Sequence, residues 1–525
     1  MERSILIDEV SCGGLSQKLS DVPEGDGNYF TLIVGPNGSG KTRLLRTISA
    51  GVAINSCLPF GNFENNALFP AFDFQYKEDS YSIYQVGCES VDRLFGVGYN
   101  LGKNVNKIKL NEYNGRDNDF SYVSSGSANK IICISNSLFH GFLDKNDIEN
   151  ILEKRGFWGY KNLALTEDLD TSRYGGDFNT KILSRGMVKS LFYSQEHRNK
   201  YLEFLSKFGF DKVVRFDVVL PLNQYSLKVE LNDSQLWEIL EVNIQRSAFT
   251  IKGLDLKQLK EDGRALEYFR FVFNEIIRRS KNEPNHEYHQ IGNTNPVYRF
   301  IRGDLIGSFE FTSKTILQEE LCNQIIYLFE IGVFDVNNII LQKNDELIHA
   351  SGMSSGQICT LLISMKIYSE ICDGALILID EPEVSMHPAW QREIIPSLEK
   401  MFSSYKGCHF IIATHSPQVV ASIPEINSSV VLLGNEPSLI SGRDVHGKSS
   451  DFQLFNTLNY AGESNEYVIK KLLTIVAKFD ASIELDKNDY DFIEKAKKLL
   501  DNESYDDIAK YLLAQTLALV EAVGR

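Results

Sequence analysis

Four short strings in this 525-residue chain combine residue types and spacings that suit phosphate chemistry. The first runs Gly35-Pro36-Asn37-Gly38-Ser39-Gly40-Lys41-Thr42-Arg43 and is a complete glycine-rich phosphate loop. A phosphate chain needs several backbone N–H groups converging on it, and glycine lets the main chain approach that closely. A helix starting behind the loop adds its dipole. Lys41 is placed to reach the β- and γ-phosphates, and the Thr42 hydroxyl to ligate Mg2+. The second string, Ala375-Leu-Ile-Leu-Ile-Asp380-Glu381-Pro382, is an apolar run ending in two acids. Asp380 suits a bound metal, and Glu381 suits the polarisation of an attacking water as a general base. The third, Ile411-Ile412-Ala413-Thr414-His415-Ser416, puts a histidine where a γ-phosphate sensor is needed. The fourth, Met353-Ser354-Ser355-Gly356-Gln357, opens a predicted helix and offers Ser354 with free N–H groups as a second phosphate-binding end.

The surrounding sequence predicts the elements that hold these strings. Tyr29–Val34 reads as a strand, and Leu44, Leu45 and Ile48 recur at helical spacing after the loop. Ala375–Ile379 and His409–Ala413 read as apolar strands, and residues 130–135 as a buried core strand. Such strands put Asp380 and Glu381 at the carboxyl edge of a parallel sheet, where ligands bind in α/β folds. Residues 72–134 alternate Tyr/Val/Ile-rich runs with turn clusters, which predicts a meandering antiparallel sheet. Met187–Phe208, Ser234–Ser247, Leu256–Ser280 and Leu317–Phe329 read as helices, with strands over 213–231 and 297–311. Beyond Asp444 the chain reads as helical and acidic. The expected organisation is a loop-bearing segment with its β lobe (1–135), a mainly helical insert (136–295), a segment with the other three strings (296–443) and a helical extension (444–525).

Composition narrows the function class. With 54 Lys+Arg against 70 Asp+Glu the net charge is −16, so a uniformly basic nucleic-acid binder is excluded while local basic grooves are not. An apolar content of 43%, with 32 Phe and 23 Tyr, excludes disorder as the main state. The eight cysteines form no C-x-x-C pair, and no apolar run is long enough for a membrane helix. A cytoplasmic protein without a signal peptide or membrane contact is expected.

The four strings, in this order, resemble the motifs of the ATP-binding-cassette (ABC) ATPases. The matches are the Walker A loop (Gly35–Thr42), the signature (Met353–Gln357), the Walker B strand with its catalytic Glu (Asp380, Glu381) and the switch histidine (His415). The resemblance implies an α/β ABC-ATPase head, with a P-loop core sheet and an antiparallel β lobe, that uses ATP and Mg2+. It also implies head-to-tail dimers, in which Ser354, Ser355, Gly356 and Gln357 act in trans on ATP held by a partner's loop. Glu383–Pro388 would then form the D-loop. Ser355 departs from the family, which has glycine there, and the Q-loop residue has several candidates: Gln75, Gln85 or the stretch Ser135–Ser137. About 310 residues separate Lys41 from Ser354, an arrangement similar to the SMC/RecF/OLD class. The strings Leu378–Gln391 and Ala413–Pro417 look like those of Septu-type (PtuA-like) antiphage defence ATPases, including retron-associated ones. That implies a homodimer or higher homo-oligomer controlling a separate HNH nuclease, with a reverse transcriptase and its RNA/DNA product as further partners.

Three other readings compete, one of them a cassette that binds nucleotide, hydrolyses it barely or not at all and serves as an assembly scaffold. An OLD-like ATPase-nuclease would need a Toprim metal site, for which Glu436, Asp489 and Asp491 are the candidates, although Asp489 and Asp491 read as a charged helical face. A RecF- or SMC-like DNA-repair clamp would need a basic groove, for which Arg278, Arg279 and Lys281, or Arg185, Lys189, Arg198 and Lys200, are the candidates. His286 and His289 read as a surface loop, His446 has no nuclease companions, and Trp237 reads as core.

Overall fold

The computed structural model describes residues 5–12, 15–25, 27–36, 38–57, 76–77, 80–85, 95–102, 105–111, 117–125, 128–135, 142 and 160–162. In the remainder it describes 187–188, 190–192, 194–221, 231–246, 256–280, 297–301, 304–315, 317, 319–384, 386–433, 438–500 and 508–523. The chain falls into two compact units, one of Met1–Ala164 with Glu370–Arg525 and one of Leu165–Ser369.

The first unit is built on a mostly parallel sheet. Its strands are β3 (Tyr29–Val34), β9 (Lys130–Ser135), β10 (Tyr160–Asn162), β16 (Ala375–Asp380), β17 (His409–Thr414), β18 (Ser428–Leu432) and β19 (Ser438–Ser441). They lie in the order β10-β9-β16-β17-β3-β18-β19, all pairs parallel except β18 with β19. Strands β3, β16 and β17 are buried along their whole length, as apolar runs without alternation require when both faces are covered. On one face Ile33, Leu376, Leu378, Ile411 and Ala413 pack with Leu45, Ile48 and Val52 of the helix Lys41–Cys57. On the other, Phe30 stacks on Phe410 at 4.7 Å, and Phe402 of the helix Pro388–Phe402 leans on Phe410 at 6.0 Å. Each such aliphatic or aromatic side chain contributes roughly 1.5–3 kcal/mol by leaving water.

The antiparallel lobe forms as expected and also recruits the start of the chain. Its order is β2-β1-β8-β7-β6-β5-β4, made from β1 (Leu6–Cys12), β2 (Leu15–Lys18), β4 (Tyr76–Lys77), β5 (Ser80–Gln85), β6 (Phe95–Gly102), β7 (Val105–Asn111) and β8 (Asp117–Ser125). One polar thread stitches this lobe to the core sheet. The Ile7 N–H donates to His409 Nδ1 at 3.1 Å, which leaves the ring proton on Nε2, 2.9 Å from the Thr31 hydroxyl. Thr31 in turn donates to the Leu19 carbonyl at 2.9 Å. The imidazole is fully buried, and burial pushes its pKa down to about 3.

The second unit differs from the expected helical insert. Strand β11 (Val213–Pro221) pairs antiparallel with both β13 (Asp304–Thr312) and β14 (Asp335–Lys343), giving the sheet β12-β13-β11-β14-β15 with β12 (Val297–Ile301) and β15 (Glu346–His349). The strands over 297–349 therefore belong to this unit, because β11 supplies their backbone partners. Predicted helices also break where local chemistry demands. Ser194 caps the helix Gln195–Lys207 by accepting from the His197 N–H, which splits the span read as 187–208. Gly263, at φ +72°, separates Leu256–Asp262 from Arg264–Ser280.

The C-terminal extension is helical. Helices Ser450–Asn456, Glu466–Asp480, Lys487–Leu500 and Ile508–Val523 share a core of Phe455, Val468, Leu472, Ile475, Ile493, Leu500 and Leu513. Among the described residues no helix is long and apolar enough to cross a membrane.

His409 makes stability depend on pH. The unfolded chain takes up this proton below about pH 6.5 and the folded chain resists it down to about 3, so the contribution is whole above 6.5 and is lost as pH falls. Unfolding free energies of wild type and His409→Asn, from denaturant titration, should therefore converge as pH drops from about 6.5 to 5, by about 1.4 kcal/mol per pH unit. A gap that does not narrow would contradict the assignment.

Candidate functional site

Topology alone brings three of the four strings together. Strand β17 lies between β3 and β16, and the three run parallel, so Gly35, Glu381 and His415 each leave the same sheet edge. The loop after β3 is shaped by glycine. Gly38 and Gly40 adopt φ of +78° and +92°, where side-chain-bearing residues are strained. A Cβ on Gly35 would lie 2.7 Å from Ser39 Oγ and 2.8 Å from the Leu433 carbonyl oxygen, so this close approach is closed to any other residue. Asn37 lies outside the described residues.

Lys41 is folded back into its own loop. Its Nζ donates to the carbonyls of Gly35 at 3.0 Å and Pro36 at 3.2 Å, and lies 3.3 Å from His415 Nδ1. Burial lowers its pKa, against the opposing charges of Glu381, Asp380 and Glu383. Because Nδ1 faces the ammonium, the His415 proton sits on Nε2, which lies 3.3 Å from Glu381 Oε1. Burial and then Lys41 lower the His415 pKa, so the ring is neutral and bridges cation to carboxylate. Glu381 itself has φ +47°, an uncommon conformation for a residue with a side chain, fixed by its N–H donating to the Ala413 carbonyl at 3.0 Å.

Asp380, the last residue of β16, is buried and accepts a hydrogen bond from Thr42. Burial pushes its pKa up to about 6, and its Oδ1 is buried without a protein donor. An orphaned carboxylate oxygen beside a threonine hydroxyl fits a hard, oxygen-liganded cation. Among the described residues no cluster of three His, Cys, Asp or Glu could cage a metal alone. The single carboxylate of Asp380 beside the Thr42 hydroxyl suits Mg2+, which is usually held by one or two carboxylates together with phosphate and water.

The fourth string stands in the second unit. The Ser354 N–H donates to Gln357 Oε1 at 2.9 Å, and the Gln357 N–H donates to Ser354 Oγ at 3.3 Å. This reciprocal capping box starts the helix Ser355–Glu370. Gly356 is buried in its first turn, and its carbonyl accepts from the Thr360 hydroxyl at 2.8 Å. Of the Q-loop candidates, Ser135 pairs in register with Asp380 at the functional sheet edge, Gln85 lies on β5 of the lobe, and Gln75 with 136–137 lies outside the described residues.

Sequence reasoning missed the role of Glu383, which it counted only within the D-loop. Its side chain is buried, and Oε1 accepts from the Thr414 hydroxyl at 2.6 Å and the His415 N–H at 2.7 Å. The signal was a second glutamate two residues beyond Glu381, opposite a threonine that precedes the histidine. Ser416 caps the next short helix, Pro417–Ala421, and donates to Gln391 Oε1 at 2.7 Å.

Several competing candidates find structural work. Arg198 is buried and donates to the carbonyls of Leu191 at 2.8 Å and Thr315 at 3.1 Å, so it leaves the proposed basic face. Lys200 pairs with Glu196 at 2.6 Å. Asp489 and Asp486 accept from each other's N–H at 3.0 Å, and Asp489 pairs with Lys478, which makes it a helix cap and not a metal ligand. His446 Nδ1 meets the Ile423 carbonyl at 2.6 Å, and Trp237 is core, bonded to Glu241. Arg185, Lys189, Lys281, His286, His289, Glu436 and the side chains of Arg278 and Arg279 lie outside the described residues.

Residues 224–421 match the family described as "AAA domain, putative AbiEii toxin, Type IV TA system", a span that includes Ser354, Asp380, Glu381 and His415. Over these residues the chain is similar to an AAA-type ATPase domain. The sequence is also 33% identical to the retron Ec83 probable ATPase of Escherichia coli over 147 residues, 26% of this chain and 26% of that protein. It is 32% identical to protein ea59 of Escherichia phage lambda over 93 residues, 18% of each. The aligned part thus spans about a quarter or less of these curated relatives. Among solved structures, the Smc head domain with an extended coiled coil from Pyrococcus furiosus is 12% identical, covering 84% of this chain and 97% of that one at a TM-score of 0.28. The SMC head domain from Thermotoga maritima is 11% identical, covering 83% and 98%, at 0.26.

The tight seat of Gly35, the first glycine of the loop, gives a direct test. Gly35→Ala should weaken binding of a fluorescent ATP analogue at least ~10-fold and lower the thermal midpoint, because the Leu433 main chain has to give way; overpacking of this kind costs about 1–3 kcal/mol. Unchanged binding would show that the loop opens without Leu433.

Proposed function

We propose that this chain is an ATP-hydrolysing ABC-type head that uses nucleotide occupancy to control a partner in antiphage defence. The observation that carries the hydrolytic part is the line Lys41–His415–Glu381, set beside the Asp380–Thr42 pair at one sheet edge. Lys41 exchanges its loop carbonyls for the β- and γ-phosphates. Glu381 orients a water and takes its proton as that water attacks the γ-phosphorus, the leaving group being ADP. His415, neutral and donating from Nε2, holds the Glu381 carboxylate in line. Asp380 and Thr42 are the residues that would hold Mg2+, which supplies neutralisation of the phosphate charge.

The assembly part rests on resemblance. Ser354–Gln357 match the signature that the ABC family uses in trans, which supports a homodimer or higher homo-oligomer with composite ATP sites. The strings Leu378–Gln391 and Ala413–Pro417, together with the partial match to a retron ATPase, support a Septu-like or retron-associated role. In that reading the partners are an HNH nuclease and, where a retron is present, a reverse transcriptase with its RNA/DNA product, and the compartment is the cytoplasm.

Single-turnover hydrolysis by wild type and Glu381→Gln tests the base directly, with an expected loss of about 100-fold or more in the variant. Equal rates would remove Glu381 from the chemistry. Gel filtration of Glu381→Gln with Mg-ATP should show an enlarged assembly, and a species whose size ignores ATP would defeat the head-to-tail arrangement.

A further inference from the structure

His415 has to satisfy two neighbours at once, with Nδ1 3.3 Å from Lys41 Nζ and Nε2 3.3 Å from Glu381 Oε1. A histidine at a strand end does this only if its backbone is fixed, because a small rotation about the Cα breaks one contact or the other. The fixing group is Glu383. It lies in the turn after β16, where its carbonyl accepts from the Met386 N–H at 3.0 Å, and it crosses to the end of β17. One oxygen there takes both the Thr414 hydroxyl and the His415 N–H, at 2.6 and 2.7 Å. On the far side, Ser416 is held by Gln391 at 2.7 Å. The histidine is pinned on both flanks.

A neutral side chain could close such a turn without burying a carboxyl group. Glu383 is buried, its Oε2 has no partner, and burial raises its pKa against the hydrogen bonds from Thr414 and His415. We infer that Glu383 is a positioning residue for ATP hydrolysis, anchoring the Thr414–His415 segment so that the imidazole spans Lys41 and Glu381. The inference rests on the hydrolytic reading given above. Its geometric basis is that Glu381 and Glu383 leave the same turn, so the base and the anchor of its histidine move as one body.

The test uses the full-length chain as wild type, Glu381→Gln, Glu383→Ala, Glu383→Gln and Thr414→Val. Single-turnover ATP hydrolysis is measured beside equilibrium binding of a fluorescent ATP analogue. Glu383→Ala should lower the hydrolysis rate about 10- to 100-fold and leave nucleotide affinity within about threefold. Glu383→Gln keeps an oxygen acceptor at the same place and should recover the rate to within about fivefold of wild type. Thr414→Val, which removes one of the two donors, should fall between. The inference is overturned if Glu383→Ala hydrolyses at the wild-type rate, if affinity and rate fall together, or if Gln is no better than Ala. Should Glu383→Ala fail to fold, Thr414→Val decides: a slower rate with intact affinity supports the anchor, and an unchanged rate removes it. Wild type that hydrolyses while Glu383→Ala matches it defeats this inference alone. Wild type that is inert defeats the hydrolytic reading and this inference with it.

Discussion

Everything at the functional edge depends on one fact of strand order: β17 runs parallel between β3 and β16. Parallel strands deliver their carboxyl ends to the same side, so a loop meets an acid pair and a histidine hundreds of residues further on without any long side chain having to reach. That order is held by apolar packing on both faces. Phe30, Phe410 and Phe402 close one side, and Leu45, Ile48 and Val52 close the other. A helix that slid along either face would carry the lysine or the acids out of register. The polar chemistry is therefore only as exact as the packing beneath it.

The same packing makes the charges interdependent. Lys41, Asp380, Glu383 and His415 are all buried or half-buried, and burial is the largest influence on the pKa of each. Each acid raises what the lysine retains, and the lysine lowers the histidine. No one of these groups has a protonation state independent of the others, which is the usual condition of a site that moves protons. The buried His409 obeys the same physics for a different purpose. Burial holds it neutral, with one ring nitrogen accepting and the other donating, so that it tethers the lobe to the core sheet.

Much of this was legible in the sequence because glycine, buried apolar runs and strand-terminal acids have few physical uses. Gly38 and Gly40 are at positive φ, and the runs 29–34, 375–380 and 409–414 are buried strands. What escaped was decided by partners distant in the chain. Residues 297–349 read as part of the head until β11 supplied their hydrogen bonds, and nothing local to those strands announces that choice. Arg198 looked like a surface cation because a helix charge is normally solvated, but the Leu191 and Thr315 carbonyls take it inside. Glu383 was read by its position after the acid pair, whereas its role comes from Thr414, thirty-one residues later. Helix breaks at Ser194 and Gly263 are the exception. Their residue types were visible, and the hydrophobic periodicity outvoted them.

The folded-back lysine changes how nucleotide binding should be understood. Its ammonium already satisfies two loop carbonyls and faces the histidine, so the loop contains its own competitor for the cation that a phosphate needs. Binding is then an exchange of ligands and not a simple addition. Part of the attraction between lysine and phosphate is consumed in freeing the Gly35 and Pro36 carbonyls, and the measured affinity is the difference between two occupied states.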